Sequence, residues 1–336
     1  MQQAFQNACA LRRTYGSIAL FITFTANPKW PEVVDCMHGQ SDAMDRPDLI
    51  ARVFHMKQRQ LLEEIRGKGN QSGCFGWCAA MTWTIEYQKR ALPHMHLLVW
   101  LEKDQAYLTP ELVDEWVRAE FPTLYDDPDQ SARRVVERNM CHGPCGEQED
   151  AGQCMVKRKG TDEMQCHAKF PFAFQETTQL CNDAWPLYRR RDNGEHVMKS
   201  SRRHPGQAPF RYTNEWVVPH NLHLCHRYNA HVNLQAAQSI KSPKYIFKYI
   251  TKGHDKANAT IVNENDEVER QLQCRYISPT QAVWAIMQYR DRANYPAVQQ
   301  LALHLEDAQM VQFNPDEDLQ DQVDNARENN RTTLQG

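Results

Sequence analysis

Between residues 78 and 101 the chain carries two β-rich runs, CAAMTWTIEYQ (78–88) and HMHLLVWL (94–101), separated only by Lys89-Arg90-Ala91-Leu92-Pro93. Branched and aromatic side chains dominate both, and so short a connection makes an antiparallel hairpin the simplest arrangement. The second run opens with His94 and His96, two residues apart, so on a strand both imidazoles share one face while Met95 takes the other. Two imidazoles on one face are half of a metal site. Glu86 and Gln88 share a face of the preceding strand, where the hairpin can bring either beside the pair. Glu86 is the preferred third ligand and Gln88 the reserve. For an isolated His-x-His, a hydrogen-bonded polar face is the simpler alternative.

The flanking sequence extends this layout. SIALFITFTANP (17–28) reads as a central strand closed by Asn27-Pro28, and RPDLIARVFHMKQRQLLEEIRGKG (46–69) as a helix with Pro47 and Asp48 at its start and glycine at its exit. TPELVDEWVRA (109–119) and PTQAVWAIMQYR (279–290) are also helical, while NEWVVP (214–219) and HLCHRYNAHVNLQ (223–235) are strand-like. From 126 to 215 periodicity gives way to Cys, His, Gly, Pro and Arg, the mark of an insertion rather than a second core. The expected fold class is α+β: an antiparallel sheet with helices, interrupted by a Cys/His-containing insertion. Residues 1–125 and 216–314 would form the two parts of the core, 126–215 the insertion, and 315–336 an acidic, disordered tail.

Composition narrows the function classes. With 41% hydrophobic and 24% charged residues the chain is globular, and no apolar run reaches the roughly 18–20 residues that span a bilayer. The start, MQQAFQNACALRRTYG, lacks the uninterrupted apolar stretch of a secretory leader, so a soluble, intracellular protein without a membrane partner is expected. Its eleven cysteines then suggest thiols and a metal site rather than a disulfide framework. Net charge is −3, but residues 305–336 hold eight acids against Arg327 and Arg331, a local −6 that leaves the remainder at +3. A mildly basic body can handle a polyanion locally.

The stretch SPKYIFKYITKG (242–253) is a well-punctuated helix, with Ser242 as N-cap, Pro243 at the first position and Gly253 as C-terminal cap. At about 100° per residue, Tyr245, Lys248, Tyr249 and Lys252 share one side, opposite Ile246, Phe247 and Ile250. The apolar side can pack on a sheet; the other is left to face an anion. A phenol, with a pKa of about 10, attacks a phosphodiester only if the phosphorus is polarised and the phenolate stabilised. A divalent cation on His94 and His96 supplies the first, and Lys248 or Lys252 adds positive potential. Tyrosine attack conserves the phosphodiester energy in a phosphotyrosine bond, so a second hydroxyl can reverse the step and reseal.

Within the insertion, His142, Cys145, Cys154 and Cys166 form a ligand-rich group, with Cys141 and His167 as alternates, suited to a structural Zn²⁺ although the spacings are not paired C-x2-C. Buried free thiols are the competing reading. Arg189, Arg190 and Arg191, with Lys199, Arg202 and Arg203 and the aromatic Trp185, Tyr188 and Phe210, could track a nucleic-acid backbone and stack bases; a solvated basic loop is the alternative.

Taken in order, LFITFTANPKWPE (20–32), RPDLIARVFHMK (46–57), EYQKRALPHMHLLVWL (86–101), HGPCG (142–146), PLYRRR (186–191), RYNAHVN (227–233), KYIFKYITKG (244–253) and RYISPTQAVW (275–284) resemble the Rep-like nickase region of Helitron rolling-circle transposases. This is the Helitron helicase-like domain of the HUH endonuclease superfamily. The resemblance implies an RRM-like sheet, His94 and His96 as ligands of Mg²⁺ or Mn²⁺, and Tyr245 and Tyr249 as nucleophiles. It also implies nicking and strand transfer of single-stranded DNA at transposon ends through a 5′-phosphotyrosine, in the nucleus. The competing reading is a single-stranded-DNA-binding remnant without turnover. Two departures stand out: Ala91 occupies a position where the family usually has Gly, and no G-x-x-x-x-G-K-[ST] phosphate loop occurs, so helicase or ATPase activity would have to come from another chain or segment.

Overall fold

The computed structural model describes residues 2–37, 42–87, 92–102, 108–145, 154–158, 160–181, 185–200, 206, 208–237, 247, 277–299 and 318–322. The chain divides into Met1–Pro296, which holds every element named below, and Ala297–Gly336, where residues 319–322 are helical. In chain order the elements begin α1 (Gln2–Tyr15), β1 (Leu20–Thr25), α2 (Pro31–Val34), α3 (Pro47–Arg66), β2 (Cys78–Tyr87) and β3 (Pro93–Leu101). There follow α4 (Pro110–Trp116), α5 (Ser131–Asn139), β4 (Met155–Lys157), β5 (Met164–Cys166), β6 (His196–Lys199) and β7 (Phe210–Thr213). The last are α6 (Leu222–Tyr228), β8 (His231–Ala236), α7 (Pro279–Ile286) and β9 (Arg292–Tyr295).

Five strands form one antiparallel sheet in the order β8-β1-β3-β2-β9, flanked by helices, so the fold is α+β. The expected hairpin is present and β3 is its inner strand, buried along its whole length. That explains why HMHLLVWL is apolar on both faces beyond its histidines. β1, read as central, is an inner strand one place from the middle. One face of the sheet, carrying Ile22, Phe24, Met95, Leu97 and Val99, packs against α3, whose Ile50, Phe54, Leu61 and Ile65 are buried at helical spacing. Phe54 stacks on Phe24 at 5.2 Å between ring centroids, and Trp284 of α7 lies 5.9 Å from Phe54. Each such buried side chain contributes about 1.5–3 kcal/mol. α3 ends at Gly67, where φ is +80° and a Cβ would lie 2.2 Å from the Gln71 carbonyl oxygen, so only glycine fits. On the other face Trp100 Nε1 donates to the Gly16 carbonyl at 3.1 Å, tying the exit of α1 to β3.

Two elements differ from the sequence-based expectation. The stretch from His223, read as strand, begins with the helix α6. Asn221 caps it by accepting from Leu224 N–H at 2.9 Å, and Asn229, at φ +42°, ends it in the left-handed region before β8 starts. NEWVVP starts with a 3₁₀ turn, Asn214–Trp216, and only then extends. The edge strand β9 and helices α1 and α5 are additional to that expectation; Ala132, Val135 and Val136 are the buried positions of α5. Residues of 126–215 share their buried cluster with the sheet: Val136, Met140, Cys145 and Tyr212 belong to the same core as Leu97. The insertion is laced to the sheet through backbone bonds, with His142 N–H donating to Trp216 O (2.9 Å), Val218 N–H to Met140 O (2.8 Å) and Leu234 N–H of β8 to Pro219 O (3.1 Å). The outer edge of β8 is thereby covered, as an edge strand requires. Among the described residues, no helix is long and apolar enough to cross a membrane. The expected acidic tail lies outside the described residues except for 318–322.

Candidate functional site

Strand alternation places His94 and His96 on the sheet face opposite α3, and the register shows what stands beside them. One row crosses the strands as His231, Thr25, His94 and Glu86; the next as Asn233, Thr23, His96, Thr84 and Arg292. Two consecutive polar rows in the middle of an otherwise apolar sheet are costly to desolvate unless their groups are bonded. The histidines are both buried, at 8% and 4% exposure. Their ring centroids are 4.5 Å apart with planes at 80°. Thr25 Oγ1 lies 2.6 Å from His94 Nδ1, and Glu86 Oε2 lies 3.0 Å from His96 Nε2. Phe21 stacks on His96 at 5.8 Å, with planes 9° apart.

The two histidines and Glu86, chosen from sequence as a ligand set, are therefore brought together. Glu86 and His96 are within hydrogen-bonding distance of each other, at 3.0 Å. Thr25 lies against His94 Nδ1 and orients that ring, as an outer hydrogen-bond partner does for a ligating imidazole. Sequence reading missed Thr25; its signal was the polar alternation of Thr23 and Thr25 within LFITFT. Gln88, Tyr245, Lys248, Tyr249, Lys252, Arg202 and Arg203 lie outside the described residues. Phe247, between the two tyrosines in sequence, is buried, and its ring meets Phe5 of α1 edge-on at 5.7 Å.

A second group of donors lies in the insertion. One nitrogen of His142 and the sulfurs of Cys145, Cys154 and Cys166 all lie within 4.8 Å of one another, and could hold a metal such as zinc. The pairing of β4 with β5 sets Cys166 opposite Met155, next to Cys154. Burial, reinforced by the neighbouring Cys154 and Cys166 thiols, pushes the Cys145 thiol well above its ordinary range. Burial, with His167 and His231 nearby, pushes His142 down to about 4. Neither alternate joins the group: the Cys141 thiol points to Val136 O, and His167 Nδ1 lies against the Cys154 carbonyl. Gly143, at φ +92°, allows the turn between His142 and Cys145, and a Cβ there would lie 2.7 Å from Trp216 Cζ3.

The arginine triplet is not a free basic patch. Arg190 is 3% exposed, and its Nη1 donates to the carbonyls of Ala119 (3.2 Å), Val217 (2.7 Å) and Asn214. Burial lowers its pKa to about 10, and its guanidinium lies 5.0 Å from the centroid of the Phe172 ring. Arg190 is thus a structural residue and is out of reach of a nucleic-acid backbone. Arg191 binds both carboxylate oxygens of Glu120, at 2.9 and 2.8 Å, and Arg189 pairs with Asp114 at 3.1 Å. Tyr188 is buried as well, its hydroxyl accepting from Ala236 N–H at 2.9 Å.

The fold and site define an α+β protein whose antiparallel sheet presents two histidines and a carboxylate together on one face of its middle hairpin. Residues 1–99 match the family model described as the Helitron helicase-like domain at the N-terminus. The match takes in β1, α3, β2 and most of β3, and with them Thr25, Glu86, His94 and His96. No curated protein matches the chain.

Proposed function

We propose that the chain is a metal-dependent DNA strand-cleaving and strand-joining enzyme of the HUH type, acting on single-stranded DNA at transposon ends in the nucleus. The observation that carries this reading is the convergence of Glu86, His94 and His96 on one buried sheet face, inside the segment that matches the Helitron domain. Mg²⁺ or Mn²⁺ held by these residues would polarise the scissile phosphate and offset its developing charge. Two imidazoles beside one carboxylate suit Mn²⁺ better than Mg²⁺. Glu86 and His94 come from adjacent strands and Thr25 fixes the His94 ring, so the ligand geometry is set by the sheet rather than by a loop.

The nucleophile is assigned from sequence to Tyr245 or Tyr249, on the side of their helix that also carries Lys248 and Lys252. Burial of Phe247 against Phe5 is what the opposite, apolar side should do. In the reaction the tyrosine Oη bonds to phosphorus and its proton is released. The bond from phosphorus to the 3′ oxygen breaks, and that oxygen takes up a proton to leave as a free hydroxyl. The lysines hold the phenolate charge. An incoming 3′-hydroxyl reverses the sequence and joins strands.

The test is covalent adduct formation with end-derived oligonucleotides in Mg²⁺ or Mn²⁺. Wild type should form an adduct that needs metal and is lost in Tyr245→Phe/Tyr249→Phe and in His94→Ala/His96→Ala. Salt-sensitive binding of single strands with no adduct would instead make the chain a binding module without turnover.

A further inference from the structure

We propose that His142, Cys145, Cys154 and Cys166 bind one zinc ion, and that this ion fastens the insertion to the outer edge of the five-stranded sheet. The proposal is independent of the nuclease reading.

The donor set comes first. Three thiols and one imidazole, all within 4.8 Å of one another, match the composition of closed, four-ligand structural zinc sites. Bonds of about 2.3 Å to sulfur and 2.0–2.1 Å to nitrogen, arranged tetrahedrally, put sulfur and nitrogen about 3.6 Å apart. Cys166 Sγ and His142 Nε2 are already 3.2 Å apart, so small side-chain movements suffice. Soft thiolates select zinc over the hard oxygen-seeking cations, which separates this site from the one on β3.

The surroundings are built around the same atoms. Phe170 stacks on the His142 ring at 4.4 Å with planes 17° apart, fixing the imidazole so that Nε2 faces Cys166. His167 N–H donates to Cys154 O at 2.8 Å, which holds the two ends of the β4–β5 hairpin together. Tyr212 donates its hydroxyl to Gly143 O at 2.6 Å, bracing the turn that separates His142 from Cys145. A disulfide would pair two sulfurs and strand the third; Cys145, Cys154 and Cys166 are all free thiols here.

The position of the group gives the ion its role. His142 N–H bonds to Trp216 O, Val218 N–H to Met140 O, and Leu234 N–H to Pro219 O, a continuous ladder from the donor group to β8. β8 pairs with β1, which pairs with β3. Loss of the ion should therefore loosen residues 140–142 and 216–219 and the outer edge of β8, and leave α3 unaffected.

The experiment is metal analysis of the full chain purified without chelator, followed by cobalt reconstitution and hydrogen exchange. One zinc per chain is expected, retained in His94→Ala/His96→Ala and lost in Cys154→Ser/Cys166→Ser. Co²⁺ should give an intense tetrahedral spectrum with thiolate charge transfer. Chelation should speed exchange at the Val218 and Leu234 amides while α3 amides stay protected. Folded wild type without stoichiometric zinc, an octahedral cobalt spectrum, or full zinc retention in the cysteine variant would overturn the site. These wild-type readouts decide the matter even if the variant does not fold. Zinc present with unchanged exchange at Val218 and Leu234 would overturn the fastening role.

Discussion

Replacing Thr25 with valine removes one atom's chemistry and almost none of its shape. Valine keeps the β-branch, so the strand preference of β1 is retained, but the hydroxyl 2.6 Å from His94 Nδ1 is gone. The direct loss is one hydrogen bond, about 1 kcal/mol, rising toward 3 kcal/mol because the ring nitrogen is buried and loses that partner. The functional loss is separate. Removing the outer partner of a metal-binding imidazole weakens metal binding about 10–100-fold, or roughly 1.4–2.7 kcal/mol. Mn²⁺ titration followed by electron paramagnetic resonance reads this directly, with urea unfolding as the stability control. Thr25→Ser restores the hydroxyl and should recover most of the affinity. Valine and wild type binding Mn²⁺ equally, or serine failing as badly as valine, would refute the orienting role.

Other residues give equally definite expectations. Arg190→Met leaves the carbonyls of Ala119 and Val217 without the Arg190 donor, while the Asn214 carbonyl keeps the Val217 N–H at 3.2 Å. At about 1–3 kcal/mol per orphaned carbonyl, urea unfolding should show a loss of at least about 2 kcal/mol; a loss under about 1 kcal/mol would contradict the buried role. Gly143→Ala must adopt φ +92° with its Cβ against Trp216, so a loss of about 1–2 kcal/mol or more is expected by the same assay, and a neutral outcome would be inconsistent with the turn described. His220 is fully buried, and desolvation depresses its pKa from an ordinary 6.5 to about 4, outweighing the opposing bond to the Val218 carbonyl. The unfolded chain then binds a proton that the folded one refuses, so stability falls as pH drops from about 6.5 to 4, by about 3 kcal/mol in all. His220→Asn should flatten that part of the stability–pH curve, and an unchanged slope would show that His220 is not its source.

Much of this architecture is legible before any coordinates. The hairpin of β2 and β3 follows from two β-rich runs joined by a short connection, and the side-chain period of two leaves Glu86 and Gln88 as candidates beside the histidines; the register that pairs Glu86 with His94 comes from the structure. The long helix α3 declares itself through Pro47, Asp48 and its apolar spacing. The His142, Cys145, Cys154 and Cys166 group was visible as residue types, although its irregular spacing withheld the geometry. What sequence hides is tertiary. Leu222–Tyr228 mixes aromatic, Cys and His residues that read as strand, and only the caps at Asn221 and Asn229 argue for a helix. The arginine triplet looks like a cationic surface because charge is local information, whereas the carbonyls that bury Arg190 come from residues 119, 214 and 217. Thr25 falls between these cases, apparent as alternation but meaningless until β1 is known to pair with β3.

The proposed function requires that Glu86, His94 and His96 hold one metal ion within reach of a tyrosine nucleophile, and a crystal of the full chain with Mn²⁺ and an end-derived oligonucleotide tests it most directly. Anomalous scattering should place one ion against those three side chains, with the hydroxyl of Tyr245 or Tyr249 facing a phosphate bound to it. A manganese peak elsewhere, or an occupied histidine site with both tyrosines turned away from the phosphate, would contradict it.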